Sequence, residues 1–301
     1  MNPTKEMTVN RRCVGALVGA LVAATLVTAC GDDAQSVDTG APGVGAGDEG
    51  SDLGSDDVVV SVEVVGAFTT AEMAFQTLPS VVVYSDGTRL SPGAQIAIYP
   101  GPALPAIQQG QLSDDDVATI VDAAREAGLD ANDVDYGEPP VADAGDTVVT
   151  VTIDGETYTH TATALGLVDE PGVVDLGGSV LTDEQIANRA ALAGFVDEVS
   201  SIPAGEGDLY EADRYRLWVQ PAAEVDTGRV DEDNIEPKTV EWTVDDVVLA
   251  ASDCLPVEGD AAAEVAALLA GTDSLTRFDD GGTTWAVVAR PVLPHEPTCP
   301  D

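Results

Sequence analysis

Residues 31–57 settle where folding can begin. The stretch is mostly Gly, Asp, Ala and Ser, with eight acids and no base. It offers too little apolar area to offset the entropy of ordering it. It reads as a tether, a coil of roughly 25–30 Å root-mean-square span that like-charge repulsion stretches further. The segment before it has another character. Lys5, Arg11 and Arg12 precede an apolar run from Cys13 to Val27, broken only by small residues and Thr25. Spanning a bilayer takes about 20 apolar residues, and this run is shorter. Its length and basic flank are those of an export signal, with a retained membrane anchor as the alternative. Both place the rest of the chain on the same side of the membrane. The part left to build a core starts at Val58.

The apolar run ends in Leu26-Val27-Thr28-Ala29-Cys30. This junction resembles the lipobox of bacterial lipoproteins: an aliphatic residue, small residues that admit the peptidase, then a cysteine whose thiol takes diacylglycerol. The resemblance implies that residues 1–29 are a cleaved signal peptide and that Cys30 carries the diacylglycerol and palmitate. It also implies a lipid-anchored domain on the extracytoplasmic face of the cell membrane.

Charge and cysteines narrow the chemistry. Acids number 54 against 12 bases, for a net charge of −42. Loss of Lys5, Glu6, Arg11 and Arg12 with residues 1–29 takes this to −44. Such a surface repels phosphate backbones, which excludes nucleic acid as a partner. It serves solubility first; attraction of cations or basic proteins is the sharper alternative. Of four cysteines, Cys13 is discarded and Cys30 is lipidated, which leaves Cys254 and Cys299. In an oxidising compartment these two are expected to form a disulfide, with two free thiols as the alternative. The bridge would close a loop of about 45 residues and stabilise by roughly 4 kcal/mol.

From Val58 onward the pattern is that of an α+β fold, antiparallel sheets with about three helices. Strands are expected at Val58–Val65, Ser80–Tyr84, Thr88–Leu90 and Gln95–Tyr99. Ser113 caps a helix that Gly128 closes, with Asp114, Asp115 and Asp116 at the positive end of its dipole and Val117, Ile120, Val121 and Ala124 inward. Asp154-Gly155 signals a two-residue hairpin that pairs Val149 with His160 and Val151 with Tyr158. Thr182 and Gln185 form a capping box for a second helix, about Asp183–Val199, with Ile186, Ala190, Ala193 and Val196 inward. Strands at Tyr215–Val219 and Thr239–Trp242, a helix over Ala261–Ala270 and a hairpin around Asp279–Gly282 complete the pattern. The organisation is signal 1–29, tether 30–57, and modules 58–165 and 166–301, or 58–301 as one domain. Strand, helix and hairpin follow in that order in each half, which suggests two related modules.

Three stretches resemble a family of uncharacterised secreted proteins and lipoproteins of high-GC bacteria. They are Ser80-Val81-Val82-Val83-Tyr84-Ser85-Asp86-Gly87, then Ile96–Leu129 with its Tyr-Pro-Gly-Pro core, and Ala289-Arg290-Pro291-Val292-Leu293-Pro294. The resemblance implies no activity.

Candidate chemical sites are sparse. Neither Gly-x-Ser-x-Gly nor His-Glu-x-x-His nor a phosphate-binding glycine loop occurs, so no catalytic residue is assigned. With two histidines, a three-histidine zinc site within one chain is excluded. His160 is a candidate ligand-binding residue or a half-buried sheet residue. His295 reads as an exposed tail residue. Tyr99, beside its proline loop, is the expected exposed aromatic and the second binding candidate. The acids Asp226, Asp231, Glu232, Asp233 and Glu236 are the densest cluster. They could wrap Ca2+ or be a solvated loop, and their spacing is not that of an EF-hand. Three functions stay open: a non-enzymatic module binding an envelope protein or peptide, an extracytoplasmic hydrolase assembled from acids, and a cation-dependent structural module.

Overall fold

The computed structural model describes residues 57–167, 181–203, 207–224 and 235–300. The expected signal peptide, lipidation site Cys30 and tether, up to residue 56, lie outside them. Among the described residues the chain forms two sheets with four helices, an α+β fold as the pattern predicts.

The first sheet contains β1 (Val58–Val65), β2 (Val81–Tyr84), β3 (Thr88–Pro92), β4 (Ile107–Gln111), β5 (Asp146–Ile153) and β6 (Glu156–Thr163), in the order β4-β3-β2-β1-β5-β6. Every pairing in it is antiparallel. Alternation decides its faces. Val60, Val62, Val149, Val151 and Ile153 point to one side, where α2 (Asp114–Glu126) and α3 (Asp183–Ser201) cover them with Ile120, Ala124, Leu192, Phe195 and Val199. The second sheet contains β7 (Arg214–Pro221), β8 (Thr239–Glu241), β9 (Ser252–Glu258), β10 (Arg277–Asp280) and β11 (Thr283–Pro291), in the order β8-β10-β11-β7-β9. Its Leu217, Val219 and Ala289 pack on Ala262, Val265 and Leu269 of α4 (Asp260–Leu269). A third cluster of Val82, Tyr84, Leu90, Ile107 and Leu293 lies on the reverse face of the first sheet. There the C-terminal tail inserts Leu293.

Local signals account for several boundaries. In α2 the Ser113 hydroxyl accepts from the Asp116 N–H, and the Asp116 carboxylate accepts from the Ser113 N–H. At the other end Gly128, at φ +73°, donates to Arg125 O, and Leu129 donates to Ala124 O. These two bonds satisfy carbonyls that the helix end would leave open. The Asp154-Gly155 turn has φ of +53° and +80°, the left-handed pair whose twist suits a tight hairpin. Its register is the expected one, Val149 opposite His160 and Val151 opposite Tyr158.

Other expectations are corrected. Residues 95–99 are not a strand: Ile96, Ile98 and Tyr99 are exposed and join no ladder. The partner of β3 is instead the polar run Ile107-Gln108-Gln109-Gly110-Gln111, held because Ile107 enters the third cluster. The inner face of α3 is Arg189, Leu192, Phe195 and Val199, whereas Ala190 is exposed and Ile186, Ala193 and Val196 are half-buried. Larger side chains bury more area than alanines, so Leu192 and Phe195 set the rotation of the helix. The two halves also differ in topology. β1 pairs with the first strand of its hairpin, β5, while β7 pairs with the second strand of its own, β11. The second sheet has a parallel pair, β8 with β10, and the first has none. A shared element order thus arises without a shared topology.

Candidate functional site

The structure separates the residues singled out from the sequence. His160 is 2% exposed and faces the first core. Its Nε2 lies 3.1 Å from Leu129 O, a group that only accepts, so Nε2 carries the proton. In the neutral ring Nδ1 then accepts from the Tyr136 hydroxyl at 2.9 Å. Burial pushes the Tyr136 hydroxyl pKa up to about 12, which keeps it a donor. Both nitrogens are engaged within the core, as for a buried sheet residue. Tyr99 is 44% exposed, as expected, though Phe68 at 86% is the more exposed aromatic. Asp226, Asp231, Glu232 and Asp233 lie outside the described residues; Glu236 is exposed. Among the described residues no group of three metal-ligating side chains occurs, and no helix is long and apolar enough to cross a membrane. Cys254 and Cys299 are bridged, with Cα atoms 5.9 Å apart.

Sequence reasoning missed the tail. Residues 290–299 return across the reverse face of the first sheet and close a polar seam. Arg290, 3% exposed, donates from both terminal nitrogens to Glu296 at 2.6 and 2.7 Å and from Nε to Thr77 O at 2.8 Å. Arg214 donates to the carbonyls of Leu293, Pro294 and Glu296. Burial alone would push the Glu296 carboxyl up. The hydrogen bonds and charge of Arg290 outweigh it and hold Glu296 below its ordinary value. Glu63, facing the same seam from β1, is pushed up by burial and by Glu296, against the pull of Arg290. His295 remains exposed, yet its Nδ1 lies 2.8 Å from the Tyr84 hydroxyl, and burial of the ring's inner side pushes its pKa down. Three stretches quoted from the sequence contribute to this region. Tyr84 comes from the first, and Ala103 from the second, whose carbonyl accepts from Gln76 Nε2. That amide also donates to Ala289 O in the third.

The scarce cations follow one rule. Among the described basic residues only Arg125 and Lys238 are exposed. Arg189, fully buried in α3, donates to Tyr136 O and Thr163 O. Arg216 lies with its guanidinium 5.4 Å over the Phe75 ring. A guanidinium carries five donors in a rigid fork, which suits it to gathering loop carbonyls. With most positive charge turned inward, the surface is more uniformly acidic than the composition suggests.

Exposed apolar side chains are also unevenly placed. Of the ten large exposed ones among the described residues, eight belong to the last residues of β1 or to segments that leave the first sheet at one end. That end is defined by register: Val62 opposite Val81, Val65 opposite Asp146 and Pro92 opposite Ile107. Two loops leave it, residues 66–80 with Phe68 and Met73, and residues 93–106 with Ile96, Ile98 and Tyr99. Glu72 and Asp143 are exposed beside them, and Asp143 O accepts from the Phe68 N–H. The chain enters β1 at its opposite end, Val58, about 25 Å away by strand rise. The cavity lined by Leu78, Val82, Leu90, Ile107 and Leu293 holds about 10 Å3, room for one water and no metabolite.

No protein-family model, no curated protein and no solved structure matches the chain.

Proposed function

We propose that the protein is an extracytoplasmic lipoprotein, anchored through Cys30, whose folded part binds a cationic, partly apolar segment of an envelope protein or peptide. The observation that carries this reading is the gathering of exposed apolar side chains at the Val65 end of the first sheet. Exposed apolar side chains on neighbouring segments are candidates for contact with a partner. Phe68, Met73, Ile96 and Ile98 supply area for contact, Glu72 and Asp143 supply acidic groups, and most of the described arginines are turned inward, which favours a basic partner. The position of this end, across the strand from the tether, suits a partner beyond the bilayer surface. The disulfide supports an oxidising address.

One experiment tests both address and surface. Cells are labelled with palmitate, the membrane is solubilised in mild detergent, and the native chain is captured beside a Phe68→Ser, Ile98→Ser variant and a Cys30→Ser variant. The reading expects label on all but Cys30→Ser. It expects a basic partner enriched with the native chain and reduced at least tenfold with the double variant. Native chain without label refutes the anchor; a partner retained equally by the double variant refutes the surface.

A further inference from the structure

One buried cation stands outside the rule that the others follow. Arg290, Arg214 and Arg189 give their guanidinium groups to carbonyls or to a carboxylate. Arg89 donates to Ser200 O, and Arg216 lies over Phe75. Arg277 is 7% exposed, yet among the described residues no acceptor takes a hydrogen bond from its side chain and no carboxylate pairs with it. Only its backbone is engaged, the N–H donating to Lys238 O. A guanidinium withdrawn from water without an acceptor lowers stability. A local rule broken in this way is characteristic of functional positions.

Register places the side chain. Arg277 stands opposite Ala286 and Thr239, while the next residue, Phe278, enters the second core. Arg277 therefore points away from that core. Its partner Ala286 is four residues from Arg290 along β11, about 13 Å by strand rise, so Arg277 is not part of the seam. The loop that carries Tyr99 comes to its side. Ala103 N–H donates to Thr272 O, Ser274 N–H donates to Gly101 O, and Pro102 bridges to Asp273. Burial pushes the Arg277 pKa down, against the pull of Asp273 and Tyr99. Asp273 is committed elsewhere: its Oδ1 accepts from the Leu275 N–H at 3.0 Å and from the Thr276 hydroxyl at 3.1 Å. The guanidinium is not sealed in. Among the described residues the sealed side-chain nitrogens without a partner are Nε of Arg89 and Nε of Arg216, so those of Arg277 keep contact with solvent.

We infer that Arg277 receives the free C-terminal carboxylate of a bound peptide whose last side chain lies on Ile98 and Tyr99, a site that rests on the surface reading above and names the end of the partner held there. Ile98 and Tyr99 are exposed on the loop that reaches Asp273. The fork of a guanidinium meets a planar carboxylate through two parallel hydrogen bonds. A singly charged carboxylate is also repelled less than a phosphate by a chain of −42. Basic side chains earlier in the same peptide are drawn to the acidic surface, so one ligand satisfies both the general field and its local exception.

Calorimetry on the full-length protein in detergent tests this with the peptide acetyl-Lys-Lys-Leu-Phe, as the free acid and as the amide. The amide carries the greater positive charge, so the acidic surface alone would favour it. The free acid is expected to bind roughly tenfold more tightly. Arg277→Met should abolish that preference, and Lys238→Met, which removes one exposed charge, should leave it intact. The urea midpoint of Arg277→Met should match or exceed that of the native chain, because no hydrogen bond is lost and a buried charge is removed. Phe68→Ser with Ile98→Ser should weaken acid and amide alike. Equal affinity for acid and amide, a preference that survives Arg277→Met, or a marked fall in the urea midpoint of that variant overturns the assignment. Equal affinities that the double variant still abolishes would leave the surface standing without this receptor. An acid preference indifferent to the double variant would keep the receptor and remove the surface, and binding of neither peptide would remove both.

Discussion

The C-terminal tail and the β5–β6 hairpin are opposite solutions to the same problem, a sheet that must end somewhere. The tail is over-determined. A disulfide, a bidentate ion pair, three carbonyls on Arg214 and a buried Leu293 all hold it across the reverse face of the first sheet and beside β9. The hairpin has a strand on one side only, β5, and its other side is met by Arg189 of α3 at the Thr163 carbonyl. Charge divides the same way. The seam beneath the tail gathers Arg214, Arg216 and Arg290 from a chain with few bases, whereas Thr157–Thr163 has no charge at all. The difference teaches that in a chain of −42 the cations act as internal fasteners, and neutral surface becomes the unusual feature.

Removing the covalent fastener should have the largest effect. Cys254→Ala with Cys299→Ala is expected to lower stability by roughly 4 kcal/mol on the chain-entropy account, measured by urea unfolding. Amides along Ser252–Glu258 should also exchange faster, because β9 would then resemble β6. A loss under about 1 kcal/mol with unchanged exchange would mean that the seam holds the tail unaided and that the contrast between the two edges is overdrawn. The ionic fastener comes next. Arg290→Ala leaves Glu296 half-buried without its partner and should cost about 3 kcal/mol. Arg125→Ala, at an exposed pair with Asp122 and Asp154, should leave the urea midpoint essentially unchanged. Equal losses at the two positions would dissolve the distinction between interior and surface cations.

What was legible in the sequence depended on how local its cause was. The Asp154-Gly155 hairpin and its register, the Ser113 and Thr182 caps and the Gly128 stop each rest on residues within a few positions of one another. The short helix α1 (Ala71–Gln76) escaped because six residues carry no periodicity, and its place is set by Phe75 against Trp218, far along the chain. β4 escaped because glutamines and a glycine do not look like a strand, and β9 because Pro256 suits only an edge. The face of α3 was misjudged because apolar residues surround the helix and Arg189 counts as polar until Tyr136 O and Thr163 O are seen to receive it. The candidate surface was half legible. Tyr99 was visible from its proline loop, but Phe68 and Met73 join it only through the register that brings residues 66–80 and 93–106 to one end of the sheet. His295 looked like a loose tail residue, and only the fold puts it on Tyr84.

The smallest expected effect probes the seam's own flaw. Glu63 faces Glu296 across the seam, so its carboxylate is opposed by burial and by a like charge, while Arg290 is already engaged. A carboxyl whose pKa is raised by folding favours the folded state while protonated and disfavours it as pH rises through the folded value. Glu63 is therefore a penalty above its raised pKa, and the penalty disappears in acid. Glu296 runs the other way: its lowered pKa gives stability above the ordinary carboxyl range that is lost as pH falls through the folded value. Glu63→Gln should accordingly stabilise the protein at pH 7 by a few tenths of a kcal/mol, once solvent screening of a partly exposed group is allowed for. Below about pH 4 the two proteins should converge. Urea midpoints at a series of pH values read this directly. A variant that is less stable than the native chain at pH 7 would show that Glu63 shares Arg290 with Glu296, making it a third fastener.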